Sequence, residues 1–324
     1  MQPFEYANPT SLNDAFKLMG SEWGQADVLA GGTDQISLMK EMLHTPKRVV
    51  NIKNIKELSV IHRSGQGLHI GATVTFDQLA SDRQVNVDFP SITHAALGIT
   101  SPQIRNMGTV GGDLCQRPRC WYFRGGYGLL GLKDGKSLIP NGDNRYHAIF
   151  GGGPAYFVSA SSLGPALIAL GAKVTLKSAT GSRTIPVEQF FVVPQNEKAR
   201  EIALRPNEIL TEVVIPTAKV RNATHEIRQR EAVDWPLATA SVALTMDGSS
   251  ISRARVVLGH VAPTPWVASK AEALLTGKQA SDDLIQQAAE AAVDGARPLR
   301  DNSYKVQLTR VAVKRALMEA SQRA

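Results

Sequence analysis

Cysteine is scarce in this sequence, because only Cys115 and Cys120 occur among its 324 residues. Two cysteines cannot build a disulfide framework, so we expect a reducing compartment. Their C-x4-C spacing, with no second pair elsewhere, also differs from the ligand spacing of structural zinc sites. Neither disulfides nor zinc are therefore expected to hold this fold together.

Long apolar runs are lacking as well. The opening residues, "MQPFEYANPT", have neither a basic stretch nor an apolar one, which argues against a signal peptide. The longest uncharged run extends from Tyr146 to Ala172, but repeated glycines and prolines interrupt it. Such breaks are poorly compatible with a membrane helix. We therefore expect no membrane span.

Positive charge is in modest excess but is not concentrated. The net charge is +7 and the pI about 9.4, values that permit nucleic acid or an acidic membrane as partner. The positive residues are scattered, and the densest run, "HEIRQRE", also contains acids. We predict that these positive residues form a solvated surface that does not bind nucleic acid. An acidic protein partner or an anionic ligand is the alternative.

Signatures of hydrolytic and metal-dependent enzymes are missing. The seven histidines form no HExxH or HxH pattern, and no GxSxG occurs. The segment "DGKSL" is not a P-loop, because Leu130 stands where the first glycine of that motif would precede Gly135. No catalytic residue and no metal ligand is therefore predicted.

Hydrophobic periodicity divides the chain into three regions. Residues 11–51 have the pattern helix, strand, loop, helix, strand. The central region has short strands, a helix at "PSITHAALGI", a glycine- and proline-punctuated loop at "TSPQIRNMGTVGGDLCQRPRC", and a hairpin around Thr180 and Gly181. After Pro216, two long antiparallel strands, "HEIRQREAVDWPLATASVALTMDG" and "ISRARVVLGHVA", precede three helices. We place a domain boundary near residue 220.

The segment "VLAGGTDQ" is the first candidate binding site. An apolar strand leads into Gly31 and Gly32, and a helix begins near Asp34. Glycine lets backbone amides approach a ligand, and a helix N-terminus favours phosphate. The segment is not GxGxxG, so it does not support a Rossmann NAD site. A plain strand-to-helix turn is the alternative interpretation.

A second glycine segment, "IRNMGTVGGDLC", follows much later in the chain. Gly108, Gly111 and Gly112, with Asn106 and Thr109, make it rich in accessible amides. A plain turn is again the alternative, but two such segments in one chain favour one large anionic ligand between them. A dinucleotide needs contacts along roughly 20 Å, which one loop seldom covers.

These segments, taken together and in order, resemble a known family. The stretches "AGGTD", "IRNMGTVGGDLCQRPRC", "LGAKVTL" and "AVDWPLATASVAL" are similar to the FAD-binding subunit of molybdenum hydroxylases. Members of that family include xanthine dehydrogenase, carbon monoxide dehydrogenase, aldehyde oxidoreductase and 4-hydroxybenzoyl-CoA reductase. The resemblance covers nearly the whole chain, including the closing "PLRDNSYKVQLTRVAVKRAL".

The resemblance implies an α+β fold with two domains. The first is a vanillyl-alcohol-oxidase or PCMH-type FAD-binding domain over residues 1–220, with subdomains of about 1–54 and 55–220. The second, over residues 221–324, has a three-stranded antiparallel sheet and helices. The expected activity is that of an FAD-dependent oxidoreductase subunit.

The resemblance also implies partners. A small subunit with [2Fe-2S] clusters would deliver electrons from a molybdenum cofactor on a large subunit. FAD would pass them to NAD+, oxygen or another acceptor, and the redox chemistry belongs to the cofactors. A cytoplasmic location is expected, and the alternative is transport to the periplasm by a partner that bears an export signal.

Site residues are carried over from the family by motif. Residues 30–34 should lie along the pyrophosphate of FAD, and residues 106–113 should form a second wall. The predicted cofactor-binding residues are Leu29, Ala30, Gly31, Gly32, Thr33, Asp34, Gln35, Ser101, Asn106, Gly108, Thr109, Gly111, Gly112, Asp113, Ser162 and Arg228.

The chain departs from the family's pattern at several positions. Relatives with the long loop after Cys120 often bind a [4Fe-4S] cluster through four cysteines. Here no cysteine follows, and Ala155 stands where the last would fall, so no such cluster is expected. Ser162 replaces an aspartate that could contact FAD. Arg228 matches a common lysine, and asparagine stands at the position of Asp113 in some relatives.

Two further functions stay open on the sequence alone. The departures would suit a degenerate, structural subunit of the same complex with weak or no flavin turnover. A stand-alone flavin oxidase or reductase is another class, although no candidate substrate acid or base stands near either glycine segment.

Overall fold

The structure, a computed structural model, describes residues 1–217 and 219–322 of the chain. Within these residues it is of the predicted α+β class, with sheets of three, five and four strands and a two-stranded hairpin. No helix in the described part of the chain has both the length and the apolar composition to cross a membrane.

The N-terminal unit is a parallel sheet flanked by two helices. Its elements are β1 (Glu5–Ala7), α1 (Leu12–Leu18), β2 (Ala26–Leu29), α2 (Gln35–Lys40) and β3 (Arg48–Asn51). The strand order is β1-β3-β2, with β3 parallel to both neighbours. The side chain of Ser11 caps α1 by accepting from the Asp14 amide. The predicted helix, strand, helix, strand pattern is confirmed, and β1 was not predicted.

The central unit is built on an antiparallel sheet. A 3-10 turn at Lys56–Ser59 leads into it. Its elements are β4 (Ile61–Ser64), β5 (Gly67–Gly71), α3 (Phe76–Ser81), α4 (Arg83–Asp88), α5 (Pro90–Leu97), α6 (Pro102–Met107), α7 (Val110–Cys115), α8 (Trp121–Arg124), β6 (Leu132–Lys133), β7 (Lys136–Ser137), α9 (Leu163–Ala169), β8 (Lys173–Ser178), β9 (Gly181–Pro186), α10 (Val187–Phe190) and β10 (Ile209–Pro216). The sheet order is β4-β5-β10-β8-β9. Leu68 and Val213 on this sheet share a core with Ile92 of α5 and Leu167 of α9.

The loop predicted at "TSPQIRNMGTVGGDLCQRPRC" is wrong over residues 102–115, where α6 and α7 form. Each helix is capped by a hydroxyl. The Ser101 Oγ accepts from the Ile104 amide at 3.3 Å, and the Thr109 Oγ1 accepts from the Gly112 amide at 3.1 Å. Capping satisfies amides that a short helix leaves unpaired, which offsets the low helix propensity of glycine.

The C-terminal region has an antiparallel sheet covered by helices. Its elements are β11 (Arg221–Ile227), β12 (Ala238–Asp247), β13 (Ser250–Gly259), β14 (Trp266–Val267), α11 (Ser269–Leu275), α12 (Asp282–Ala291) and α13 (Tyr304–Gln322). The order is β11-β12-β13-β14, so a two-residue fourth strand joins the three predicted strands. Val242 and Leu258 of this sheet share a core with Val313 of α13.

The single long strand predicted from "HEIRQREAVDWPLATASVALTMDG" is wrong, because residues 228–237 leave the sheet between β11 and β12. The Asp234 carboxylate accepts from the amides of Gln229 and Arg230, at 3.2 and 2.9 Å, and so closes a tight loop. Pro236 has no amide hydrogen to donate to a ladder. We call residues 228–237 the strand-break loop.

Candidate functional site

The two predicted glycine loops meet directly in the fold. A Cβ added to Gly31 would lie 1.9 Å from the carbonyl oxygen of Met107 and 3.0 Å from the Cα of Gly108. Glycine at position 31 is therefore required for this close approach of the two backbones. The two motifs that are distant in sequence form adjoining walls of one cleft.

The cleft has a volume of about 290 Å³, near the lower end of the range typical of small-molecule sites. Most of the predicted cofactor-binding residues line it. They are Ala30, Gly31, Gly32, Thr33, Asp34, Gln35, Ser101, Gly108, Thr109, Gly111, Gly112, Asp113 and Ser162. The structure does not bring Leu29, Asn106 or Arg228 into the lining. Leu29 ends the preceding strand, and Asn106 lies within α6.

The first glycine loop lines the cleft. Within the described residues, the amides of residues 30–34 donate no hydrogen bond to the rest of the chain. The side-chain nitrogen of Gln35 is buried without a partner in the same part of the structure. A buried donor without a partner is costly, so a ligand with acceptor atoms fits this wall.

The second glycine loop also packs closely against its neighbours, although less tightly than Gly31 does. A Cβ on Gly111 would lie 2.9 Å from the Cβ of Ala72, and one on Gly108 would lie 2.6 Å from the ring of Phe76. These glycines let α7 approach the central sheet, and Thr109 caps that helix at the cleft. The second wall therefore depends on backbone packing more than on side-chain chemistry.

Asp113 is held by the chain itself. Its carboxylate accepts from the Ser161 hydroxyl at 2.5 Å and from the amides of Ser162 and Leu163 at 3.1 and 3.0 Å. Burial raises the pKa of Asp113 to about 6, against the lowering effect of these bonds. These bonds fix α7 to the start of α9, and the contact of Asp113 with a cofactor stays a prediction.

Arg228 lies beside the cleft and binds other residues of the chain. Its guanidinium donates to the Gly98 carbonyl at 2.5 Å and pairs with the Glu226 carboxylate. Burial raises the pKa of Glu226 to about 7, although the Arg228 charge lowers it. Gly98 does line the cleft, so Arg228 supports the wall from behind.

Asp34 has a role that the motif did not indicate. Its carboxylate accepts from the Arg117 amide at 2.9 Å and from the Arg124 guanidinium at 2.8 Å, and it pairs with Arg119 at 3.0 Å. Arg117 and Arg119 lie in the loop that begins at Gln116, and Arg124 ends the short helix α8 that follows this loop. Asp34 therefore attaches this loop to the first glycine loop.

The strand-break loop supplies a wall that sequence reasoning missed. Val233, Asp234, Trp235 and Pro236 line the cleft. The Val233 amide donates to the Thr100 hydroxyl at 2.7 Å, and Val233 has a φ of 52°. The Asp-Trp-Pro sequence, a turn signal inside an apparent strand, was the available indication.

Two tryptophans at the cleft are paired with arginines. The guanidinium carbon of Arg119 lies 4.5 Å from the Trp235 ring centre, and that of Arg200 lies 4.2 Å from the Trp23 ring centre. All four side chains line the cleft. The site therefore combines free amides, aromatic surface and positive charge, which suits a ligand with planar rings and an anionic linker.

The segment with the two cysteines lies beside the cleft. Cys120 packs near Ala155 in a small apolar cluster, and its Sγ lies 3.1 Å from the Nε2 of His147. Burial raises the pKa of Cys120 and of Cys115, the latter to about 12. Among the described residues, no group of three or more histidine, cysteine, aspartate or glutamate side chains is arranged to hold a metal ion.

The N-terminal and C-terminal parts of the chain each match a known protein family. Residues 2–218 match the FAD binding domain in molybdopterin dehydrogenase, and residues 223–320 match the CO dehydrogenase flavoprotein C-terminal domain. The carbon monoxide dehydrogenase medium chain of Hydrogenophaga pseudoflava is 30% identical, over 98% of this chain and 96% of that protein. The aldehyde oxidoreductase FAD-binding subunit PaoB of Escherichia coli K12 is 29% identical, over 91% of each chain.

Solved structures agree with these matches. Carbon monoxide dehydrogenase from Hydrogenophaga pseudoflava, lacking the Mo-pyranopterin moiety of its cofactor, aligns with a TM-score of 0.77 at 30% identity, over 99% of this chain and 98% of that chain. Reconstituted CO dehydrogenase from Oligotropha carboxidovorans aligns with a TM-score of 0.78 at 27% identity, over 100% and 99%. The chain belongs to the FAD-binding medium subunits of the molybdenum hydroxylase family.

Proposed function

We propose that this chain passes electrons from [2Fe-2S] clusters of a small partner subunit, through FAD, to an external acceptor. The observation that carries the proposal is the contact between the two glycine loops at Gly31 and Met107, which forms one cleft. FAD supplies the redox chemistry when bound, and the residues of this chain bind and orient it.

The cleft offers separate surfaces for the parts of such a cofactor. The free amides of residues 30–34 are suited to the oxygens of a pyrophosphate. Trp23 and Trp235 offer aromatic faces to planar rings, and apolar side chains such as Ile99 and Leu204 also line the cleft. These assignments of residues to parts of FAD belong to the proposal.

The partner subunits that we propose are based on the relatives of this chain. They include a carbon monoxide dehydrogenase, an aldehyde oxidoreductase and a xanthine dehydrogenase, each represented by its FAD-binding or medium chain. We propose a large molybdenum-cofactor subunit and a small iron–sulfur subunit for this chain as well, and NAD+ or another molecule as acceptor. A cytoplasmic location, or a periplasmic one reached with an exported partner, is part of the same proposal.

Rapid mixing of the intact complex tests the proposal. The chain is purified with its native partners and mixed anaerobically with candidate substrates, such as aldehydes, xanthine and nicotinate. Electron transfer through this chain predicts bleaching of flavin absorbance after reduction of the iron–sulfur clusters. Cluster reduction with a flavin that stays oxidised would contradict it.

The second candidate is a structural subunit with little flavin turnover. The observation that favours it is the internal engagement of Asp113 and Arg228, whose polar groups bind Ser161 and Glu226. The same experiment separates the two functions, because a structural subunit would leave its flavin oxidised after the iron–sulfur clusters are reduced.

A further inference from the structure

The first glycine loop contains an electrostatic conflict. Asp34 lines the cleft beside the free amides of residues 30–34, where an anionic ligand would be held. An unpaired carboxylate in the lining of the cleft would repel an anionic ligand. The chain resolves the conflict with arginines of residues 116–124, which we call the arginine loop.

Two guanidinium groups of the arginine loop meet the same carboxylate oxygen. Arg119 and Arg124 contact the Asp34 Oδ1 at 3.0 and 2.8 Å. Each arginine stays charged at any physiological pH. The cluster of one carboxylate and two guanidinium groups therefore has a net positive charge.

The two arginines differ in what else they face. Arg124 does not line the cleft, and it donates a further bond to the Pro118 carbonyl at 3.0 Å. Arg119 lines the cleft, and within the described residues its Nε is buried without a hydrogen-bond partner. The Trp235 ring packs 4.5 Å from its guanidinium carbon, which fixes the plane of the group. Arg119 therefore combines a place in the cleft lining with a buried donor that has no partner in the described chain, and Arg124 has neither.

We propose that Arg119 is a binding residue for the anionic linker of the ligand, and that Asp34 and Trp235 orient it. The inference rests on the proposed function, in which that ligand is FAD and the linker is its pyrophosphate. A charged donor held by a carboxylate and an aromatic ring is preorganised, so it binds a dianion without further ordering of the side chain.

The proposal is tested by FAD titration of the full-length chain, freed of flavin, at low and high NaCl concentration. Arg119→Gln should weaken FAD binding about tenfold or more at low salt, because a hydrogen bond to a charged group is lost. The loss should shrink at high salt, since exposed charge interactions are screened. Arg119→Lys should restore the salt dependence and part of the affinity.

Two variants serve as controls. Arg124→Gln breaks the other Asp34 contact from a side chain that does not line the cleft, so at low salt it should weaken FAD binding less than Arg119→Gln does. Arg145→Gln removes an exposed arginine that pairs with Asp143 at 2.8 Å and lies 5.7 Å from the Trp121 ring, outside the cleft. It should bind FAD as the wild type does.

The outcomes separate the inference from the proposed function. An FAD affinity that is unchanged in Arg119→Gln would overturn the role of Arg119. A loss of affinity that is the same at both salt concentrations, and the same in Arg119→Gln and Arg119→Lys, would overturn it as well. A wild-type chain that takes up no FAD would instead overturn the proposed function itself.

Discussion

At the scale of single residues, Gly31 is the most constrained position of the cleft. Its Cα faces a backbone carbonyl, and backbone cannot move aside as a side chain end can. Gly31→Ala should push the glycine loops apart, cost about 1–3 kcal/mol of stability and lower the FAD affinity. Flavin content and thermal unfolding measure both effects. Gly65→Ala is the control, because an added Cβ there meets open space.

Asp113 makes a prediction about pH. Its folded pKa of about 6 lies above the ordinary value of 3.8, so the native state retains a proton that the unfolded state has lost between these values. The free energy of unfolding of the wild type should therefore fall as pH rises from about 4 to 6. Relative to Asp113→Asn, which does not titrate there, the fall should be at most about 3 kcal/mol. Denaturant unfolding at several pH values measures it. A wild type that instead becomes more stable than Asp113→Asn as pH rises would contradict this prediction. It would show that the three donors stabilise the carboxylate more than burial disfavours it.

At the scale of elements, the strand-break loop should control how long the ligand stays bound. Trp235 is 41% exposed and contributes little to any core, so Trp235→Ala should leave unfolding nearly unchanged. Loss of its contact with Arg119 should speed FAD release about two- to thirtyfold. Stopped-flow flavin fluorescence measures the release rate. Trp121→Ala, which removes a tryptophan outside the cleft, should leave that rate unchanged.

The elements also show which parts of the fold local sequence determines. The helices α1 and α2, the strands β2 and β3 and the hairpin at Thr180 and Gly181 follow from spacing and turn residues, and they were predicted. The helices α6 and α7 were not predicted, because α6 begins at a proline and α7 contains two glycines, and the capping hydroxyls outweigh these breaks. The break at residue 228 depends on Asp234, whose turn-forming bonds no hydrophobic pattern reveals.

At the scale of the whole molecule, the sequence predicted the two glycine loops of the site and Ser162, but not the surfaces that Trp23 and Trp235 form. The motifs of the two loops are local, so spacing alone identified them. The partners of Asp34 and Asp113 lie tens of residues away in the sequence, and the Trp235 wall comes from the C-terminal region. Such contacts are set by the packing of units against each other, which a single sequence does not specify.

The lack of a [4Fe-4S] cluster is a prediction at the same scale. Cys120 lies among apolar side chains, and the four thiolates that such a cluster needs are not in the sequence. Iron analysis of the chain, separated from its partners, should find less than stoichiometric iron. Four iron atoms per chain would refute this prediction.

The central claim is that the two glycine loops hold one FAD. The most direct measurement is the flavin extracted from the gently purified complex, identified by mass and counted per chain. The account predicts one FAD for each copy of this chain in the wild type and a clear deficit in Gly31→Ala. A wild-type complex that contains its partners and no flavin, or a Gly31→Ala complex with a full complement of FAD, would contradict it.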